Sequence, residues 1–406
     1  MSAASIPPSA PEAAALVIIG AGLAGWTTAR EFRKLDTSTP IVLVTADSGD
    51  FYAKPTLSNA CAQKRTAEEL VTTPAAKMAE TLNVTLHANT QVTAIDTTAQ
   101  SVSVASDDGV AHQVAYAQLV LATGAHPIRI PLEGDAAAQV QSINQLTDLA
   151  HFQQHLDTSP KTVLIMGAGL IGCEFANDLV LGGHTVHVVD PAQRPLAALL
   201  PEGAGEQMRA ALSGIGVTWH FGTTVQSLLS STDAKPLQAT LANGETVDAD
   251  LVLSAIGLRA DVVLAQAAQI HCERGVVVDA LLQTSAALVY ALGDCAQYAS
   301  AGARTLPYVM PIMNAARALA ATLAGTPTPL VFPLMPVSVK TPAMPTVIAA
   351  AHPSTQGQWV ADVLDAEAAQ SGGAWRFLDN AGQQRGFVLT GKQTARRMEL
   401  SKTTVL

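Results

Sequence analysis

Three observations predict an α/β fold, with two parallel-sheet units followed by a small α+β domain. A short apolar run leading into a glycine-rich turn and a helical stretch occurs twice. Hydrophobic residues make up 49% of the 406 positions but aromatics only 4%, so small side chains must let helices sit close on a sheet. Beyond the Pro-rich break Thr326-Pro327-Thr328-Pro329, about 75 residues carry strand patterns of their own.

The first unit opens with Leu16-Val17-Ile18-Ile19, turns through Gly20-Ala21-Gly22-Leu23-Ala24-Gly25, continues as a helix to about Leu35 and returns in Ile41-Val42-Leu43-Val44. Strand, glycine turn, helix, strand is the order a parallel sheet requires. The second unit repeats it as Val163-Leu164-Ile165-Met166, Gly167-Ala168-Gly169-Leu170-Ile171-Gly172, a helix and Val186-His187-Val188-Val189-Asp190. The spacing from Gly20 to Gly167 is 147 positions, about one domain and too long for a solenoid repeat. Val84–His87 and Ser101–Val104 alternate as an antiparallel meander would. Leu251–Ser254 and Leu288–Leu292 read as buried strands, and Val337–Val339 and Phe387–Leu389 as strands of the C-terminal domain.

Composition removes several functions. The net charge of −10 argues against nucleic-acid binding, which needs a basic surface. No apolar run approaches the ~20 residues of a membrane span. The first 15 residues lack the basic start and apolar run of a signal peptide, so a cytoplasmic location is expected. Cys61, Cys173, Cys272 and Cys295 form no C-x-x-C pair, and the ten histidines have no metal-ligand spacing; no metal site is expected. From Arg376 onward six basic residues face two acidic ones, a local +4. Lys392, Arg396 and Arg397 are therefore candidates for docking an acidic partner.

G-x-G-x-x-G gains meaning where it follows a strand and opens a helix, as both copies do. Glycine lets the backbone approach a pyrophosphate, and the helix N-terminus offers unpaired N–H groups with partial positive charge. The fold class is thus two Rossmann-like dinucleotide-binding domains plus the small C-terminal domain. Gly20, Gly22, Leu23, Ala24 and Gly25 would cradle one nucleotide; Gly167, Gly169 and Gly172 would cradle the other. An acid after the second strand grips the adenosine ribose. Asp190 holds that place in the second unit and disfavours a 2′-phosphate, which selects NADH. In the first unit the acid comes slightly late, as Asp47.

Two such sites suggest FAD and a nicotinamide, and further motifs carry a resemblance. Leu121-Ala122-Thr123-Gly124 resembles the A-T-G strand end of the two-dinucleotide flavoprotein reductases. Thr284-Ser285 with Tyr290-Ala291-Leu292-Gly293-Asp294 resembles their T-S-x(4)-Y-A-x-G-D segment. The resemblance implies a glutathione-reductase-like arrangement: residues 1–126 and 254–328 hold FAD, 127–253 hold NAD, and 329–406 form the third domain. Tyr52-Ala53-Lys54-Pro55-Thr56-Leu57-Ser58 is similar to the Y-x-[RK]-P-x-L-S segment of ferredoxin and rubredoxin reductases. Gly169–Asp178, Tyr308–Met313 and Met335–Pro342 resemble the rubredoxin–NAD reductases of alkane-degrading bacteria. Asn59, where ferredoxin reductases commonly carry lysine, favours the rubredoxin branch.

The resemblance implies that Asp294 holds the FAD ribityl chain and that Lys54 and Pro55 lie against the isoalloxazine. It implies further that Lys340 approaches the flavin pyrimidine edge and that Glu174 lies beside the nicotinamide or Lys54. Thr123, Gly124, Val92 and Val309 would complete the FAD contacts, and Gly257 those of NAD. The chain would then pass electrons from NADH through FAD to a rubredoxin, feeding alkane hydroxylation, with no catalytic acid, base or nucleophile. Three alternatives stay open: a reductase of a [2Fe–2S] ferredoxin, an NADH oxidase or peroxidase using Cys61, and an NADH-sensing binding protein.

Overall fold

The computed structural model describes residues 15–106, 109–156, 159–232, 235–364 and 371–406; residues 1–14 of the leading stretch lie outside them. The chain divides into two compact units. Unit 1 is drawn from Met1–Ala53, Val71–His126 and Arg259–Phe332, and unit 2 from Lys54–Leu70, Pro127–Leu258 and Pro333–Leu406. Residues 54–70, which the sequence groups with the first glycine unit, fold with unit 2, as does the C-terminal segment.

Unit 1 is built on a five-stranded parallel sheet. Its order is Val289–Ala291, Gln118–Leu121, Leu16–Ile19, Ile41–Val44, Val84–His87. The inner strands are apolar throughout because both faces are covered. Val84–His87 is a correction to the expected meander. It alternates because it is the edge of this parallel sheet, with only part of its length covered. The meander consists of Thr90–Asp96, Ser101–Ser106 and Ala111–Ala115. Helix Leu23–Arg33 packs on helix Val309–Leu323, burying Trp26 and Phe32. The Trp26 indole donates to the Gly49 carbonyl at 2.8 Å, fixing the turn after Ile41–Val44 to the helix.

Unit 2 repeats the plan with a four-stranded parallel sheet, ordered Val217–Phe221, Thr185–Asp190, Thr162–Met166, Leu251–Ser254. Helix Leu170–Leu181 covers one face, and Cys173, Phe175, Ala176 and Leu179 enter the core. Its buried set also includes Glu174, Asn177 and Asp178, three polar residues on one helical face. The C-terminal part is a five-stranded antiparallel sheet, ordered Val337–Val339, Thr346–Ala349, Gln384–Thr390, Ala374–Asp379, Gly357–Ala361, closed by helix Arg397–Thr403. Val339, Ile348 and Val388 share a core with helix Glu202–Ile215, through Ala204, Met208 and Leu212.

Candidate functional site

The two glycine turns are built alike. In unit 1 the strand register pairs Ile19 with Val44, and the Gly20 N–H donates to the Val44 carbonyl at 2.8 Å. In unit 2 Met166 pairs with Val189, and the Gly167 N–H donates to the Val189 carbonyl at 2.8 Å. Gly20 and Gly167 have φ of +105° and +104°, where a side chain is strained. A Cβ there would also lie 2.3 Å from the Ala122 carbonyl oxygen and 2.7 Å from that of Ala255, respectively. A Cβ on Gly25 or Gly172 would fall 1.9 Å from the carbonyl oxygen of Gly20 or Gly167, so each helix rests on its own turn. The middle glycines differ. Gly22 (φ −70°, ψ −171°) and Gly169 (φ −72°, ψ −170°) are the helix N-caps, and a Cβ on either meets no atom within 4 Å.

Each turn therefore keeps open space in front of helix amides that have no acceptor within the helix. The first turn of neither helix carries an acidic residue to compete for an anion. This is the shape and charge a pyrophosphate requires, and both cradles fit a dinucleotide. Leu23 and Ala24 form the first turn in unit 1.

The acids are not equivalent. Asp190 follows Val189 directly, opposite Gly167; its Oδ2 accepts from the Ala168 N–H at 2.6 Å and its Oδ1 from the Ala192 N–H at 2.7 Å. The carboxylate is thus bound to the glycine turn itself. The same register position in unit 1 is Thr45. Asp47 stands two residues on, exposed, and its Oδ1 accepts from the Thr45 hydroxyl (2.7 Å) and the Gly49 N–H (2.9 Å). Arg194, four residues after Asp190, folds back, its stem against Gly205 and its guanidinium donating to the Leu200 carbonyl.

Two further pieces lie beside the unit 1 turn, and other expected contacts sit elsewhere in the unit. Asp294 lies in the short turn Gly293–Cys295, where a Cβ on Gly293 would sit 2.9 Å from the Ala24 methyl. The buried Tyr298 phenol accepts from the Gly293 N–H at 2.7 Å and donates to its carbonyl at 3.2 Å, clamping the turn. Burial pushes that phenol far above its ordinary pKa. The Thr123 hydroxyl donates to the Asp261 carbonyl, and the Asp261 N–H to that of Gly124, both at 3.0 Å. Val92 sits in the meander opposite Val104, and Val309 is the exposed first residue of helix Val309–Leu323. In unit 2, Gly257 (φ +109°) accepts through its carbonyl from the Ile128 N–H at 3.0 Å.

Unit 2 also assembles a polar cluster from three distant segments. Glu174 is 1% exposed. Its Oε1 accepts from the Lys340 backbone N–H (2.8 Å), and its Oε2 from the Ser58 hydroxyl (2.6 Å) and the Lys340 ammonium. Lys340 Nζ donates further to the Pro55 carbonyl (2.6 Å) and Ser58 Oγ (2.8 Å). All three ammonium hydrogens are thereby engaged inside the protein, so Lys340 offers a fixed charge. A buried ion pair holds only with such extra bonds. The sequence places Glu174 beside Lys54 or the nicotinamide; the geometry gives it Lys340, while Lys54 Nζ donates to Asn144 Oδ1 at 2.9 Å. Ser58, Asn144, Asp178 and Tyr298 escaped the sequence reading. Ser58 and Asp178 lay inside motifs named above, and nothing marked either beyond its neighbours.

Cys61 has the wrong environment for a redox thiol. Burial and the Asp178 charge push it up to about 11, and a Cβ on Gly182 would lie 2.5 Å from its sulfur. A reactive cysteine needs the opposite, an electropositive setting that lowers its pKa. Of the docking candidates, Arg396 is committed: it bonds Asp362 (3.0 Å) and Glu399 (2.9 Å), while Arg376 and Arg385 pair with Asp362 and Asp379. Among the described residues Lys392 and Arg397 form no ion pair, although Arg397 donates to the Pro336 carbonyl at 3.4 Å. Three of the six basic residues are thus held in ion pairs, and Asp362, the one carboxylate not already counted, lowers the local +4 by one.

Comparisons with known proteins agree with this geometry. The pyridine nucleotide-disulphide oxidoreductase family matches residues 14–320, and the rubredoxin binding C-terminal domain matches residues 329–404. The rubredoxin-NAD(+) reductase of Alcanivorax borkumensis is 43% identical, covering 95% of this chain and 97% of that protein. That of Acinetobacter baylyi is 40% identical over 96% and 97%. A crystallised covalent putidaredoxin reductase–putidaredoxin complex has a TM-score of 0.84 at 25% identity, covering 96% of this chain and 93% of that one.

Proposed function

The chain belongs to the pyridine nucleotide-disulphide oxidoreductase family, and on that premise we propose that it is an FAD-dependent reductase passing electrons from NADH to a rubredoxin. The acceptor rests on one observation above the rest: the C-terminal five-stranded domain coincides with the match to a rubredoxin-binding domain. Likeness to rubredoxin-NAD(+) reductases along nearly the whole chain supports it.

When bound, FAD supplies both the hydride acceptor and the one-electron donor, so the chain needs no acid, base or nucleophile of its own. The chain's residues bind and orient. Gly20, Gly22, Leu23, Ala24 and Gly25 hold the FAD pyrophosphate, with Asp47 toward its adenosine and Asp294 toward its ribityl chain. By the resemblance, Lys54 and Pro55 would lie against the isoalloxazine, and the Lys340 ammonium, held by Glu174, would favour a reduced, anionic ring. Gly167, Gly169 and Gly172 hold NADH, and Asp190 receives its ribose hydroxyls. The raised pKa of Cys61 weighs against an oxidase or peroxidase working through that thiol.

Electron supply to alkane hydroxylation and a cytoplasmic location complete the proposal. Supporting these are the resemblance to reductases of alkane degraders and four cysteines without a disulfide. Among the described residues no helix is long and apolar enough to cross a membrane. The test is anaerobic NADH-driven bleaching of a rubredoxin beside a [2Fe–2S] ferredoxin, at low and moderate salt. Fast, salt-sensitive reduction of the rubredoxin alone is expected. Preference for the ferredoxin, or reduction of neither despite flavin bleaching, would overturn the acceptor.

A further inference from the structure

The segment Lys54–Asn59, which supplies Lys54 and Pro55, is a 3₁₀ stretch with a kink at Ser58 (φ −90°, ψ 15°). Such short helices hold poorly by their own hydrogen bonds, so something outside must fix it. Helix Leu170–Leu181 provides a row of anchors. Glu174 takes the Ser58 hydroxyl. One turn on, Asp178 accepts from the Cys61 N–H through Oδ2 at 2.9 Å and from the Ala62 N–H through Oδ1 at 3.0 Å. At the helix end, Gly182 leaves room for the Cys61 sulfur. Between them Asn177 accepts from the Ala343 N–H at 3.1 Å, tying down the segment that carries Lys340. Ser58 and Lys340 thus meet at Glu174, and Asp178 closes the other end of the Lys54 segment.

We propose that Asp178 is a positioning residue: by holding the backbone of Cys61 and Ala62 it sets the seat of Lys54, Pro55 and Ser58, and through Ser58 that of the Lys340 ammonium. The inference rests on the flavin-site reading above.

The cost of this carboxylate argues that it is kept for position. Burial pushes Asp178 up to about 6, outweighing the two amide bonds and the Lys340 charge that act to lower it. A carboxyl whose folded pKa exceeds its unfolded value makes the fold less stable as pH rises from about 4 to 6. At neutral pH the group is ionised against the fold's own preference. The charged or titratable groups acting on it are Cys61 from the anchored segment and Lys340 from the C-terminal segment; Glu174, one turn back on the same helix, pairs with Lys340.

The test compares wild-type, Asp178→Asn and Asp178→Glu holoprotein. Asn keeps one acceptor and turns an NH₂ donor toward the other amide. Glu keeps both acceptors, and a cavity of about 360 Å³ lined by Asn59, Gln63, Asn177 and Thr341 beside Asp178 has room for its extra methylene. Hydrogen–deuterium exchange at pH 7.5 should show the Cys61 and Ala62 amides exchanging about tenfold faster in Asp178→Asn, with strand Thr162–Met166 unchanged. Flavin reduction by NADH should slow by about tenfold or more at an NADH KM within about twofold, the cost of a small misplacement. Asp178→Glu should restore both readouts. Wild-type exchange in Asp178→Asn would overturn the proposal; so would faster exchange with an unchanged reduction rate. If Asp178→Asn does not fold, the wild-type amides decide: opening that releases Asp178 to water becomes harder as pH drops from about 6 toward 4, so their protection should rise over that range, and constant or falling protection would overturn the idea. A wild-type holoprotein that NADH cannot reduce would instead refute the flavin-site reading.

Discussion

Gly169→Ala is the substitution that best separates binding from folding. The backbone at Gly169 is extended, open to any residue, and a Cβ there meets no atom within 4 Å. Alanine caps a helix less well than glycine but restricts the unfolded chain, so the two effects leave stability within about 1 kcal/mol. The methyl then fills the space in which the NADH pyrophosphate would approach the amides of Leu170 and its neighbours. Losing one hydrogen bond to a charged group costs about 1.5–3 kcal/mol, which corresponds to a roughly 10- to 150-fold weaker NADH complex. FAD content should not change. Gly172→Ala is the control for folding: its Cβ would lie 1.9 Å from the Gly167 carbonyl oxygen, which forces helix and strand apart and lowers stability. Gly22→Ala mirrors the experiment, losing FAD while the NADH site stays intact. The assays are thermal melting, flavin absorbance of the purified protein, and the NADH dependence of flavin reduction. An NADH dissociation constant within twofold of wild type in a well-folded Gly169→Ala protein would refute the cradle assignment. Loss of NADH binding rather than FAD in Gly22→Ala would show the two cradles to be exchanged.

Other outcomes follow from the same geometry. Asp190→Ala should raise the kcat/KM ratio for NADPH over NADH by tenfold or more, since a carboxylate ~4 Å from a 2′-phosphate costs up to about 4 kcal/mol at an effective dielectric near 20; an unchanged ratio would remove Asp190 from the ribose site. Cys61→Ser should leave reductive titration at two electrons per flavin, and a loss of electron equivalents would mean the thiol takes part. Lys392→Glu with Arg397→Glu should slow rubredoxin reduction, more so at low salt, while ferricyanide reduction by NADH stays constant; equal loss of both activities would sink the docking surface. Arg396→Glu should lower stability, because it breaks the pairs with Asp362 and Glu399 and sets like charges together.

The two cradles were legible in the sequence because their requirements are local. Gly20, Gly25, Gly167 and Gly172 are needed by φ or by a carbonyl a few ångströms away, and Gly22 and Gly169 by the space in front of a helix end. Strand runs such as Leu16–Ile19 and Val163–Met166 declare themselves by being apolar on both faces. Val84–His87 misled because alternation marks one covered face, which the edge of a parallel sheet shares with a meander. Asp190 could be read from its place at a strand end. Asp47 comes late already by sequence, and the register measures the offset: Thr45 occupies the position matching Asp190.

What the tertiary structure decided are pairings between residues far apart in the chain. Lys340 meets Glu174 across 166 positions, and Cys61 meets Asp178 across 117. A side chain's spacing in sequence carries no record of such contacts, because they depend on which helix face is buried and against what. The same holds for charge. A count along the chain gave the C-terminus a local +4, and folding brought Asp362 to Arg376 and Arg396, which lowers it by one and leaves Lys392 and Arg397 outside the ion pairs. The sequence alone thus determines which glycine turns keep open space in front of a helix end. Which side chains stand charged, paired or displayed is set only when the segments pack.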